Sequence, residues 1–258
     1  MNITGANVER EQFSEATKAL FPVVSSASAE EIALLLREGA DVNAVIKEDE
    51  LWRGWTPLML AAKSAQKAEV VQLLLAKGAD VNAFNNTGWT PLMAAALTNP
   101  NHIILSFLID KGAKVNAADK YGMTPLMCAA SNNQSAGVLR VLIQKGADVN
   151  ASMSGDELFP GQTPLMFAAE RNPNPDILRT LINEGARINA VDKYGRTALM
   201  FAAEKNSNPE VLRLLLNRGA DTDVKSSSGL RALELAGKNE ALRETAEYKL
   251  LQKKTYPV

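Results

Sequence analysis

The sequence predicts an all-α fold: an α-solenoid of about seven stacked helix pairs joined by short β-hairpin or finger loops. Three observations predict it. Thr-Pro-Leu-Met begins at Thr56, Thr90, Thr124 and Thr163, and Thr-Ala-Leu-Met at Thr197. A Gly-Ala pair recurs at Gly39, Gly78, Gly112, Gly146, Gly185 and Gly219. Each motif threonine lies 22 residues before the next of these glycines, and successive threonines are 34, 34, 39 and 34 residues apart. A fixed period of this size marks stacked units that bury their apolar faces against one another, so the chain is one body over 1–258.

The elements follow in chain order. Counting back 22 residues from Gly39 reaches Thr17, which places a first helix pair near Phe13 to Glu38. Glu9, Arg10, Glu11 and Gln12 before it suit a polar N-terminal cap. In each inner unit the motif threonine suits an N-cap, and in all but the one at Thr197 a proline follows at N1, where it loses no hydrogen bond. Leu92, Met93, Ala95 and Ala96 exemplify the apolar face of the first helix, with small residues that permit close helix approach. The second helix starts at Asn174-Pro175-Asp176 or Asn208-Pro209-Glu210, again cap, N1 proline and first-turn acid. Its face follows the spacing of Val211, Leu214 and Leu215. The Gly-Ala glycine then suits the left-handed position that ends a helix. A polar finger ending near Gly88, Gly122 or Gly195 leads into the next unit. At the far end Arg231 begins Arg-Ala-Leu-Glu-Leu-Ala and a charged helix to about Gln252, which suits a C-terminal cap. The expected units are 13–44, 45–83, 84–117, 118–151, 152–190, 191–224 and 225–252.

The units resemble ankyrin repeats. Residues 116–150 carry the pattern closely: Asp119, Gly122, Thr124-Pro125-Leu126, Ala129-Ala130, Val141-Leu142, Gly146-Ala147 and Val149-Asn150. The likeness covers roughly residues 13–250, in the style of a bacterial Thr-Pro-Leu-Met subtype. It departs from the family in two ways. Methionine stands at 59, 93, 127, 166 and 200, where the family has a histidine that hydrogen-bonds between repeats. That network is therefore expected to give way to apolar packing. The unit is also one residue longer than usual, with the extra residue in the turn between its helices.

Composition narrows the function. The formal net charge is −1, whereas neutralising phosphates or an anionic membrane takes a basic excess. No apolar run approaches the roughly 20 residues that span a bilayer. The opening MNITGANVEREQ has neither a basic nor an apolar signal region, so a cytoplasmic location is expected by default, with a periplasmic or secreted one as the alternative. Cys128 and His102 are the only residues of their kinds, which leaves no disulfide, no thiolate cage and no nucleophile–histidine pair. His102 reads as a solvated helix-start residue and Cys128 as core. G-x-x-x-x-G-K-[ST], G-x-G-x-x-G and H-E-x-x-H are absent. No catalytic residue, cofactor or metal site is expected.

The resemblance implies a protein partner bound at the finger tips and along the first helices. The residues point the same way. Trp52, Trp55, Phe84, Trp89, Tyr121, Phe159 and Tyr194 all fall in fingers, half of the chain's aromatic residues, and exposed aromatics concentrate at interaction surfaces. Trp55 and Trp89 also admit a role as glue between neighbouring fingers. Met123 and Arg196 occupy the same finger register. Positions seven and eight after the threonine should line the groove: Lys63, Ser64, Leu97, Thr98, Ser131, Asn132, Glu170, Arg171, Glu204 and Lys205. Of these, Lys63, Leu97, Asn132 and Arg171 are the chosen contact candidates. Two five-residue insertions match each other, Asp49-Glu50-Leu51-Trp52 and Asp156-Glu157-Leu158-Phe159. Three repeats apart, they would stand roughly 25–30 Å from each other on one face, as relics of duplication or as paired claws. The expected partner is an unidentified protein bound by a monomer, without nucleic acid or membrane insertion. The alternatives are a small-molecule, metal or enzymatic site in the groove, and self-association through the fingers.

Overall fold

The computed structural model describes residues 14–47, 52–64, 68–154 and 160–256. Among these residues it contains fourteen helices in seven antiparallel pairs. The pairs are α1 (Glu15–Val23) with α2 (Ala29–Arg37), α3 (Pro57–Ser64) with α4 (Ala68–Ala76), and α5 (Pro91–Thr98) with α6 (His102–Asp110). Next come α7 (Pro125–Asn132) with α8 (Ala136–Gln144), α9 (Pro164–Arg171) with α10 (Pro175–Asn183), and α11 (Ala198–Lys205) with α12 (Pro209–Asn217). A short α13 (Ala232–Ala236) and α14 (Ala246–Thr255) complete the stack. First helices pack on first helices and second on second, giving two layers around one continuous core.

Local chemistry sets the helix starts. Thr56, Thr90, Thr124, Thr163 and Thr197 each accept, at Oγ1, the backbone N–H three residues on, at 3.3–3.4 Å. Losing such a cap costs about 1 kcal/mol. Asn174 and Asn208 accept the N–H groups of Asp176 and Glu210 at 3.0 Å. At the N-terminal end the register is shifted. Ser14, not Thr17, caps α1, and Thr17 lies inside the helix with its Oγ1 accepting the Asp41 N–H at 2.8 Å. The helix thus starts within the expected span that begins near Phe13, and the Thr17 hydroxyl ties α1 to the chain beyond α2.

The methionines behave as the sequence suggests: Met59, Met93, Met127, Met166 and Met200 are at most 1% exposed. Burying each contributes roughly 1.5–3 kcal/mol. Apolar packing, however, does not replace the inter-repeat polar network. A row of buried asparagines supplies it from the lengthened turn between the helices. Asn133 Nδ2 donates to Ala96 O and Asn99 O at 2.8 and 3.0 Å, Asn172 to Ala130 O and Asn133 O, and Asn206 to Ala169 O and Asn172 O. Each Oδ1 accepts the backbone N–H two residues on. The turn's extra length accommodates a side chain that satisfies two carbonyls at the end of the preceding repeat's first helix, groups that would otherwise be buried without partners. A second row, Asn43, Asn82, Asn116, Asn150 and Asn189, clasps the next repeat by donating to the helix-ending glycine carbonyl and accepting the N–H two residues beyond it.

The fingers are narrow hairpins, too short to form strands among the described residues. In the regular ones an Asn or Asp five residues before the motif threonine organises the tip. Asp119 Oδ1 accepts the N–H groups of Tyr121 and Met123 at 2.9 and 2.8 Å, and Asn85 and Asp192 do the same in their own fingers. The inserted fingers put apolar residues at the matching point, Ile46 and the buried Met153, each closed by two backbone hydrogen bonds. Adjacent fingers touch through the backbone, Lys120 N–H to Thr87 O at 2.9 Å. A Cβ on Gly88 would lie 3.0 Å from Asp119 Cα.

Candidate partner-binding site

The fingers and the first helices meet along one edge of the stack, and there one register controls the surface. The residue before each motif threonine is Trp55, Trp89, Met123, Gln162 and Arg196 in turn, and the residue four after it is Leu60, Ala94, Cys128, Phe167 and Phe201. In the N-terminal half the finger residues Trp55 and Trp89 are large, and the helix residue Ala94 is small. Trp55 packs with Met59 and Ala94, against which Trp52 and Trp89 also lie. The Trp52 and Trp55 rings meet edge to face at 4.8 Å, and Trp55 and Trp89 stack at 6.4 Å. Such pairs each contribute about 0.5–1.5 kcal/mol beyond burial.

This arrangement leaves a pocket of about 440 Å³. Trp55 and Ala94 form its floor, Trp52, Trp89 and Leu97 its walls, and Arg53, Lys63 and the Asn85–Thr87 tip its rim. The Lys63 ammonium lies 5.2 Å from the centre of the Trp52 ring. In the C-terminal half the same register is filled from the helix side. Phe167 and Phe201 are at most 1% exposed, and the Arg196 guanidinium covers Phe201 at 4.4 Å. Arg196 is itself held by the buried Asp192, through Nε at 2.9 Å and NH2 at 2.8 Å.

A family model described as ankyrin repeats (3 copies) matches residues 2–85, 69–153 and 150–226. The chain belongs to the ankyrin-repeat family. A search of curated proteins finds no match.

Within this ankyrin array the expected contact residues separate into three groups. Trp52, Trp89, Lys63 and Leu97 are half-buried and share the pocket. Phe84, at 71% exposed, Tyr121 and Tyr194 stand on the finger surface, with Lys120 and Arg196 over the two tyrosine rings. Asn132 and Arg171 are exposed at the ends of their first helices; Asn132 donates to Leu97 O at 3.3 Å, and Arg171 lies over Phe167. Three expectations need correction. Trp55 is 7% exposed, so its ring supports its neighbours and has little face left for a partner. Ser131 turns inward and donates to Cys128 O at 2.9 Å, and Glu170 is buried between Lys205 at 2.9 Å and Arg171 at 3.5 Å. Both residues are structural: Ser131 bonds back within its own helix, and Glu170 reaches Lys205 of the next repeat. Met123 is half-buried beside Asp119. Phe159, like Asp49, Glu50, Leu51 and Asp156–Leu158, lies outside the described residues.

Sequence reasoning missed Arg53, Ala94 and the Asn85–Thr87 rim. The signal for Ala94 was present: it is the smallest side chain in its register and sits next to the largest finger residues. Among the described residues no group of three or more His, Cys, Asp and Glu side chains is placed to hold a metal ion. Burial pushes the Cys128 thiol far above its ordinary range, with the Asp119 carboxylate adding to the shift, so the sulfur is an inert core atom. His102 is exposed at the first position of α6. No helix among the described residues is long and apolar enough to cross a membrane.

Proposed function

We propose that this chain is a non-enzymatic interaction module that captures another protein, as a monomer, through its fingers and the groove beside them. The observation that supports this most is the gathering of all three tryptophans of the chain, from two successive fingers, around one open pocket. Half-buried indoles with an apolar floor are the composition of an interface anchor point, where a few large side chains carry most of the binding energy. The ankyrin-repeat scaffold suits the role because its rigid stack presents the pocket with little ordering cost.

The test is affinity capture from cells that express the protein, with the intact chain and two variants. Trp52→Ala combined with Leu97→Asp should abolish capture while the helical circular-dichroism signal persists. Lys145→Ala, on the second-helix layer where Lys145 pairs with Asp110, should capture normally. Equal capture by all three proteins would sink the proposal.

A further inference from the structure

The tryptophan pocket also carries information about what fills it. Three indoles around one cavity resemble the cages that hold quaternary ammonium groups by cation–π attraction. Two features argue against a cationic guest. The Lys63 ammonium already occupies the face of Trp52 at 5.2 Å. Among the described residues the charged side chains lining the pocket are Lys63 and Arg53, and neither pairs there with a carboxylate. The C-terminal half is different: there Arg196 is matched by Asp192, and Lys205 by Glu170. At the pocket an apolar floor therefore lies beneath a rim that carries two positive charges and, among the described residues, no carboxylate. A guest cation would meet like charge at close range; a guest carboxylate would meet a pair of donors beside a poorly hydrated apolar wall, where the attraction is screened less than in open water.

We propose that the pocket takes a bulky apolar side chain of a partner protein whose neighbouring residue is aspartate or glutamate, the apolar group packing against the half-buried Trp52, Trp89 and Leu97 and the carboxylate meeting Lys63 and Arg53. This rests on the interaction role above and specifies its chemistry. The volume of about 440 Å³ suits one large side chain with part of the chain beside it. The exposed Asn86 amide at the rim offers hydrogen-bonding groups to the guest's backbone.

The chain reports on this site without a label, because all of its tryptophans lie in the pocket. A phage library of random dodecapeptides is panned on the full chain and in parallel on Lys63→Glu. Recovered sequences are made as tryptophan-free peptides and titrated while the protein's indole emission is followed. The expected result is recovery of peptides that pair Leu, Ile, Met or Phe with an adjacent Asp or Glu and that shift the emission. Lys63→Glu and Trp52→Ala should each weaken those peptides at least about tenfold, with Lys63→Ala intermediate and circular dichroism unchanged. Recovery of basic or charge-indifferent peptides, equal affinity on Lys63→Glu, or no recovery would overturn the proposal. A peptide that binds without moving the emission overturns the pocket assignment yet leaves the interaction role standing. That role fails separately, in the cellular capture experiment.

Discussion

Ala94 and Phe201 occupy the same position in repeats three units apart, and the surfaces around them differ in kind. At Ala94 a methyl group lies buried among a cluster of indoles, and the half-buried Trp52 and Trp89 leave a pocket open beside it. At Phe201 the helix supplies the ring, and Arg196, locked to Asp192, lies over it at 4.4 Å. One backbone plan thus yields an open apolar recess near one end and a sealed, charge-matched surface near the other. The stack sets where a side chain stands, but the sizes of two residues in adjoining layers decide whether the site is vacant or full.

That contrast can be tested from both sides. The largest effect is expected at the sealed end: Phe201→Ala removes a fully buried ring and the platform beneath Arg196, and should cost about 3–5 kcal/mol. Urea unfolding followed by circular dichroism measures it; a loss below about 1 kcal/mol would mean the ring is not part of the core. Next comes the row of asparagines on which both halves depend. Asn172→Ala leaves two carbonyls and one N–H without partners in a buried turn, and should cost about 2–3 kcal/mol. Faster hydrogen exchange at the ends of α7 and α9 would locate the loss. A smaller effect separates finger from helix end. Gly88→Ala and Gly112→Ala both force a side chain into a positive-φ conformation, about 1–2 kcal/mol each. Only at Gly88 would the new Cβ also strike the next finger, 3.0 Å from Asp119 Cα, whereas nothing lies within 4 Å at Gly112. Gly88→Ala should therefore be the less stable variant; equal melting temperatures would show that the finger contact carries no stability. The smallest structural effect is expected at the open end. Trp52→Ala should lower stability by only about 1 kcal/mol, the scale of an aromatic pair with half its surface already in water, while changing tryptophan emission and partner capture more than any variant in the sealed half.

Much of this was legible before any coordinates. Thr90, Thr124 and their counterparts announce helix starts because a cap and the N–H it accepts are three residues apart, a purely local relation. The methionines declare themselves core because they recur at one point of a fixed period. Even the fingers could be found, from glycines that must adopt positive φ. The first helix pair was legible near Phe13 to Glu38 and stands at Glu15–Val23 and Ala29–Arg37; that Thr17 Oγ1 accepts the Asp41 N–H was not, since that contact joins residues on either side of α2. The asparagines of the lengthened turn were visible as residues, but their role was not: an amide that looks like an ordinary turn former becomes a buried bridge only when another repeat's carbonyls are brought to it.

The sequence by itself determined the helix pairs, their period and the location of the fingers, because these follow from capping, backbone preference and apolar spacing within one unit. Tertiary structure alone decided which finger aromatics are walls and which are floor, that Glu170 and Ser131 turn inward, and that Arg53 and Lys63 share a rim with three indoles. The pairs that span repeats, Trp55 with Trp89 and Glu170 with Lys205, join side chains 34 and 35 residues apart across a layer boundary, and burial or exposure at such a boundary is a property of the pair, not of either residue alone.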